Sequence, residues 1–277
     1  KILENIEKVK SVPIEKKCRD TLSCYAFRSP SSFALNLKEA GFDVMSGANN
    51  HAFDWGHEGY DSTSDALSAA GIHYTGKKGS YSVIEREGLK IGVAAFAPNN
   101  GTNPLNDYDF VKDMIKEMDE VCDIILVSFH GGAEGVSCMH VPDSMEIFYG
   151  EERGYLREFS RMVIDAGADA VIGHGPHVVR GIELYKKRLI AYSLGNFCTY
   201  EGINIKGIRG AAPLLVLSVS DEGAFLEGRI FSFIQKRPEG LQKDQSGAAA
   251  RLIRRLSADD FPDTALLIGK DGSIKIR

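Results

Sequence analysis

Four of the seven histidines, His51, His130, His174 and His177, come immediately after apolar runs that read as buried strands. A buried strand fixes the backbone, and the loop leaving its end opens the next side chain to solvent and ligand, so α/β folds place reactive groups there. In His174-Gly175-Pro176-His177 a short stiff bend sets two imidazoles close together without a helix. Such a pair suits a divalent transition metal, or equally a strand end capped by hydrogen bonds to loop carbonyls. His130 closes the run IILVSF and precedes Gly131-Gly132. Core filling explains it poorly, because a buried polar ring needs a dedicated partner. Asn49-Asn50-His51 ends an earlier strand. Asn50 could offer a neutral carboxamide oxygen beside imidazoles, or the segment is an Asx turn, for which one Asn suffices and which leaves His51 unexplained. Asp54 is spaced either to orient His51 through a ring nitrogen or to be a plain loop residue. His57, His73 and His140 read as surface or loop positions.

The elements that must carry these residues are legible from periodicity and punctuation. SPSSFALNLKEAG has a Ser cap, Pro in the first turn and Gly past the end, a complete helix signature. FDVMSGAN follows as a short buried strand, then a polar loop and a helix over Tyr60 to Ala70 that stops at Gly71. YSVIERE and LKIGVAAFA flank Gly88 as a hairpin, a helix around Val111 to Val121 leads into DIILVSF, and a long irregular loop covers Ala133 to Tyr149. A helix ending at Gly167 feeds the strand ADAVIG and then HGPH. Hairpins are expected across Lys186-Lys187 and across Asp221 to Ala224, with a surface loop at 239–248. Mixed βα units and hairpins in one chain predict a layered α/β domain whose sheets pack on each other beneath outer helices.

The 277 residues, 43% apolar, suffice for one large core, and the expectation is a single domain over 1–277. A net charge of −5 without long runs of either sign argues against a nucleic-acid groove. The apolar stretches are far shorter than the roughly 20 residues that cross a bilayer. Because the sequence opens on Lys1, a longer product is expected, from which an export signal or lipid anchor could have been removed, so the absence of one here decides nothing about location. The five cysteines contain no C-x-x-C, and Cys18 and Cys24 bracket a polar segment where a small-loop disulfide would fit an oxidising compartment, or equally are two unpaired thiols, since spacing does not supply geometry.

Four blocks in order, GFDVMSGANNHAFDWGHEG, ILVSFHGGAE, GADAVIGHGPHVVRGIELY and LIAYSLGNF, together resemble the bacterial capsule-synthesis family typified by poly-γ-glutamate biosynthesis proteins. That family is similar to the calcineurin-like metallophosphoesterases. The resemblance implies a metallophosphoesterase-like α/β/β/α sandwich with mixed sheets and a site at strand ends. It implies Asn50, His130, His174 and His177 as ligands of a divalent transition metal (Mn, Zn or Fe, one ion or two). It also makes His51, oriented by Asp54, the proton donor to a leaving group. Arg28, Arg180 and Asn196 are assigned to substrate contact, the arginines as partners for carboxylate or phosphate or else as surface salt bridges. The family's opening Gly-Asp strand and Asn-Leu-Glu motif are not visible, and Glu4-Asn5-Ile6-Glu7 does not replace them. Either the first βα unit is missing or carboxylate ligands have been lost.

Two functions follow as expectations. One is a metal-dependent hydrolase of phosphoesters or amides; the other is a non-catalytic accessory protein that binds an anionic envelope polymer as part of the envelope biosynthesis machinery. Both imply an extracytoplasmic location. A serine hydrolase is disfavoured because G-x-S-x-G is absent, and nucleotide-dependent chemistry because neither G-x-G-x-x-G after a strand nor a P-loop occurs.

Overall fold

The computed structural model describes the backbone of Ile6–Glu7 and residues 25–199 and 202–277. The chain passes through α1 (Phe33–Glu39), β1 (Val44–Ser46), α2 (Gly56–Ala69), β2 (His73–Thr75), β3 (Ser82–Arg86), β4 (Leu89–Ala97), α3 (Tyr108–Asp119) and β5 (Ile124–His130). It continues through α4 (Leu156–Asp165), β6 (Ala170–His174), β7 (Ile182–Tyr185), β8 (Arg188–Ala191), β9 (Ala211–Val219), β10 (Phe225–Lys236) and β11 (Gly240–Lys243). It ends with α5 (Ala248–Asp260), β12 (Leu266–Ile268) and β13 (Ser273–Ile276).

A seven-stranded sheet orders β7-β8-β6-β5-β4-β3, with Asn103–Pro104 pairing alongside β4. Its middle strands β4, β5, β6 and β8 run parallel, and the edges β3 and β7 are antiparallel. The expected turn chemistry closes both edge hairpins: Glu87-Gly88 and Lys186-Lys187 all take positive φ, as a two-residue loop requires. Strand alternation splits the sheet's side chains between two cores. On one face Phe96, Ile125, Val127, Phe129 and Val171 meet the apolar stripes of α3 (Val111, Met114, Ile115, Met118) and α4 (Phe159, Val163). Spacing of three and four residues along each helix puts those side chains on one side. On the other face Leu189 and Ala191 meet Phe225, Ile230, Leu266 and Ile274 of a five-stranded antiparallel sheet and Ile253 and Leu256 of α5. Each buried Val, Leu, Ile, Phe or Met among these contributes about 1.5–3 kcal/mol. The outer face of that second sheet shows Leu214, Val216 and Phe231 to solvent. The pair β1-β2 is parallel and forms a small separate sheet beside α2.

Two sequence expectations change. The stretch 239–248 is not wholly loop: β11 lengthens the second sheet along β10, and Asp244 then accepts hydrogen bonds from the Ser246 and Ala248 amides as α5 begins. A polar edge strand facing water has no apolar alternation to betray it. Cys18 and Cys24 lie outside the described residues, while Cys122, Cys138 and Cys198 are free thiols. None of the described helices is long and apolar enough to cross a membrane.

The loop from Ala133 to Tyr149 contains one short 3-10 turn, Val136–Cys138, and is held by a side chain from beyond HGPH. Arg180, fully buried, grips Glu146 with Nη1 to Oε1 at 2.8 Å and Nη2 to Oε2 at 2.7 Å. Nε donates to the Cys138 carbonyl and Nη2 also to the Ala133 carbonyl, and the Ala133 amide donates to the same Glu146 carboxylate at 2.9 Å. This corrects the assignment of Arg180 to substrate contact: every nitrogen is spent on the protein, so the guanidinium shapes the loop instead. Removing one partner of such a pair strands a buried charge. Arg180→Ala is expected to cost about 3–5 kcal/mol in urea unfolding, and Arg180→Met with Glu146→Leu to recover much of it. A single variant within roughly 0.5 kcal/mol of wild type would contradict this role.

Candidate functional site

The parallel ladder between β5 and β6 sets His174 directly opposite His130, at the carboxyl ends of the central strands. Close backbone approach keeps them there. The Gly131 amide donates to the His174 carbonyl at 2.9 Å, and a Cβ on Gly175 would lie 2.3 Å from the Gly131 carbonyl oxygen. Gly175 also takes φ +124°, so no other residue fits this bend without strain. Pro176 then swings the chain to His177, a non-glycine residue in the left-handed region at φ +57°. Such a conformation persists only where the surroundings impose it. Here Asn196 does so: its Oδ1 accepts from His177 Nδ1 at 2.7 Å, and its Nδ2 donates to the His177 carbonyl at 3.0 Å and to the Arg209 carbonyl at 3.2 Å. Asn196, assigned from sequence to substrate contact, is buried and instead positions His177, fixing its tautomer so that Nε2 carries the lone pair.

His51 enters from the loop after β1. Asn49 Oδ1 accepts the His51 amide at 2.7 Å, the Asx turn that was one reading of this segment, while the neighbouring Asn50 is only half-buried. The His51 ring gives Nδ1 to Asp54 Oδ2 at 2.8 Å, which turns Nε2 outward. Asp54 is buried and also accepts the Phe27 amide at 3.1 Å. The Phe27 ring stands edge-on to His51 with centroids 4.6 Å apart, and Trp55 Nε1 donates to the Phe27 carbonyl at 3.1 Å. Arg28 lies over Trp55 at 4.9 Å, exposed at the rim of this segment.

Electrostatics tie these loops together. Burial holds the His130 ring well below its ordinary pKa, and the positive charge of Arg153 and of protonated His177, His174 and His51 would lower it further. Burial also pulls His174 down to about 3. Both rings are therefore neutral near pH 7, the form in which imidazole binds a metal. His130 Nδ1 is buried without a hydrogen-bond partner, an orphaned atom that a ligand would satisfy. Even so, among the described residues no three His, Cys, Asp or Glu side chains are closed around one point as a metal cage.

Two participants went unnoticed in the sequence. Glu134, in HGGAE, reaches to 3.9 Å from His177 Nε2 with one oxygen and pairs with Arg153 through the other. Arg153, far along an irregular loop, shows no periodicity or motif that would single it out; only its place beside Gly132, whose amide donates to the Arg153 carbonyl at 2.7 Å, does so. His57 and His73 are exposed, and His140 is engaged with Asp260 at 2.6 Å, away from the site. A cavity of about 420 Å³ between α5 and the second sheet, lined by Ile208, Phe233 and Leu252 among others, contains none of these histidines.

Comparison with known proteins gives the chain its relatives. The PGA biosynthesis protein CapA of Bacillus subtilis is 31% identical over an alignment of 186 residues, with 60% of this chain and 45% of the relative covered. The capsule biosynthesis protein CapA of Bacillus anthracis is 28% identical over an alignment of 187 residues, with 60% of this chain and 42% of the relative covered. The chain thus spans about half the length of the curated relatives it matches. A 5'-nucleotidase precursor from Thermus thermophilus overlays with a TM-score of 0.45 at 15% identity, covering 83% of this chain and 46% of that one. The model of the bacterial capsule synthesis protein family PGA_cap matches residues 5–201, which contain every histidine discussed above, and the chain belongs to that family.

Proposed function

We propose that this domain handles an anionic capsule-type polymer at the cell envelope through a metal-dependent hydrolytic site at the ends of β5 and β6. The observation that carries the reading is the pairing of His130 with His174 in adjacent parallel strands, with His177 and His51 bearing on the same ring. His130, His174 and His177 would hold a divalent transition metal, with Asn50 contributing; the donor set is nitrogen-rich and fits Zn, Mn or Fe better than calcium. Asp54 is engaged with His51 and the Phe27 amide, so the site lacks ready carboxylates apart from Glu134. When bound, such an ion supplies Lewis-acid polarisation and a lowered water pKa.

The chain's own residues supply orientation and the proton. Asp54 holds the His51 ring by Nδ1, so Nε2 can deliver a proton to a departing oxygen or nitrogen. Asn196 keeps His177 Nε2 facing the site. The names of the Bacillus relatives favour a glutamyl polymer as the substrate. They equally support a role in which the polymer is bound and not cleaved.

The two roles separate by mutation. Alanine at His174 or His177 is expected to lower the bound manganese or zinc measured by elemental analysis. His51→Ala is expected to keep the metal and to slow hydrolysis of a phosphodiester or a γ-glutamyl peptide by roughly 10²–10⁴. A wild-type protein that takes up neither metal in excess would refute the metal-dependent reading, and metal uptake without hydrolysis would leave the binding role.

The lowered histidines also make a stability prediction for metal-free protein. In the unfolded chain these rings protonate near 6.5, whereas in the fold they resist it, so the unfolded state binds more protons below that pH. Stability is full above about pH 6.5 and falls as pH drops, by up to about 1.4 kcal/mol per pH unit for each ring, until the folded-state pKa is passed. His174 is half-buried and should contribute less than that ceiling. Urea unfolding between pH 7.5 and 5 is expected to show the decline, and His130→Gln to flatten it. Equal slopes in the two proteins would contradict the assignment.

A further inference from the structure

Two buried arginines flank the strand-end histidines, and they are used differently. Arg180 spends all three nitrogens on Glu146 and two carbonyls. The Arg153 side chain is 5% exposed, yet its Nε and Nη1 have no hydrogen-bond partner. Nη2 pairs with Glu134, Nη1 forms a longer ion pair with the exposed Glu151 carboxylate at 3.5 Å, and the ring of Phe148 lies 5.7 Å away. Buried guanidinium N–H groups without a close acceptor are costly, and this arginine is held less completely than Arg180, each of whose nitrogens is hydrogen-bonded within the protein. The position is not accidental either. The Arg153 amide donates to the Glu146 carbonyl at 2.8 Å, and the Arg153 carbonyl accepts from Gly132, which locks this residue against the turn that follows His130. Its charge is felt at the His130 ring, and its partner Glu134 ends 3.9 Å from His177 Nε2.

We propose that Arg153 is the anion-recognising residue of this site, and that Glu134 occupies the guanidinium until a substrate carboxylate or phosphate displaces it. The proposal rests on the reading of the histidine cleft as a substrate site. Glu134 shows that the guanidinium accepts a carboxylate here, and its partial exposure, 23% against 5% for Arg153, leaves it free to swing out. Arg presents the planar fork that binds carboxylate or phosphate in a bidentate manner, and Lys does not.

Isothermal titration of the full chain with glutarate and with inorganic phosphate, each with and without added manganese, tests the proposal. Wild type should bind at least one probe, and the tighter of the two identifies carboxylate or phosphate as the recognised group. Arg153→Gln should weaken that binding by roughly tenfold or more, with manganese uptake retained, and Arg153→Lys should fall between. Glu134→Gln removes the internal competitor and should tighten binding, a gain that a merely structural pair would not produce. Binding of neither probe by wild type, unchanged binding in Arg153→Gln, or weaker binding in a folded Glu134→Gln would each overturn the assignment. If manganese is not taken up but the anion pattern appears in its absence, the metal-dependent reading fails and the role of Arg153 stands.

Discussion

Parallel pairing of β5 with β6 is the constraint on which the site depends. Backbone hydrogen bonds set the register, the register sets His174 opposite His130, and a slip of one residue would turn one of the rings into the opposite core. Apolar burial enforces that register from both sides. Val127 and Phe129 of β5 and Val171 of β6 pack under α3 and α4, and so cannot exchange faces with Ser128 or Ile172 without opening the core. The two histidines thus sit at the last rung of a ladder whose earlier rungs are packed, His130 buried there and His174 half-buried.

Around that rung the loops are fixed by polar contacts, each of a different kind. Gly175 permits a backbone approach that any side chain would block. Asn196 imposes a left-handed conformation on His177 and selects its tautomer. Asp54 ties His51 to the Phe27 amide, so one carboxylate both orients a ring and recruits the segment that packs against it. Glu146 with Arg180 braces the long loop from within, while Glu134 with Arg153 lies at the histidines themselves. The two ion pairs differ in how fully they are held: every nitrogen of Arg180 is hydrogen-bonded within the protein, whereas Nε and Nη1 of Arg153 have no hydrogen-bond partner.

Much of this was legible in the amino-acid order. Strand-end histidines, the Gly-Pro bend and the hairpin turns are local signals, and they marked the elements on which His51, His130, His174 and His177 lie. The spacing of Asp54 from His51 was enough to suggest their contact. What could not be read was how distant segments share charge. Arg180 looked available because it follows a motif, yet its partner Glu146 is 34 residues away in an irregular loop. Asn196 was assigned to substrate contact, and only the fold brings it to His177. Arg153 carries no local signature, and β11 hid in a polar stretch because an edge strand needs no apolar face.

The central claim, that the ends of β5 and β6 form a metal-dependent site, is tested most directly by anomalous diffraction from crystals of the full chain grown with manganese. The account predicts an anomalous peak within coordination distance of His130, His174 and His177, with the His51 ring still held by Asp54. A peak elsewhere on the surface and none among these three histidines, at full manganese saturation, would contradict it.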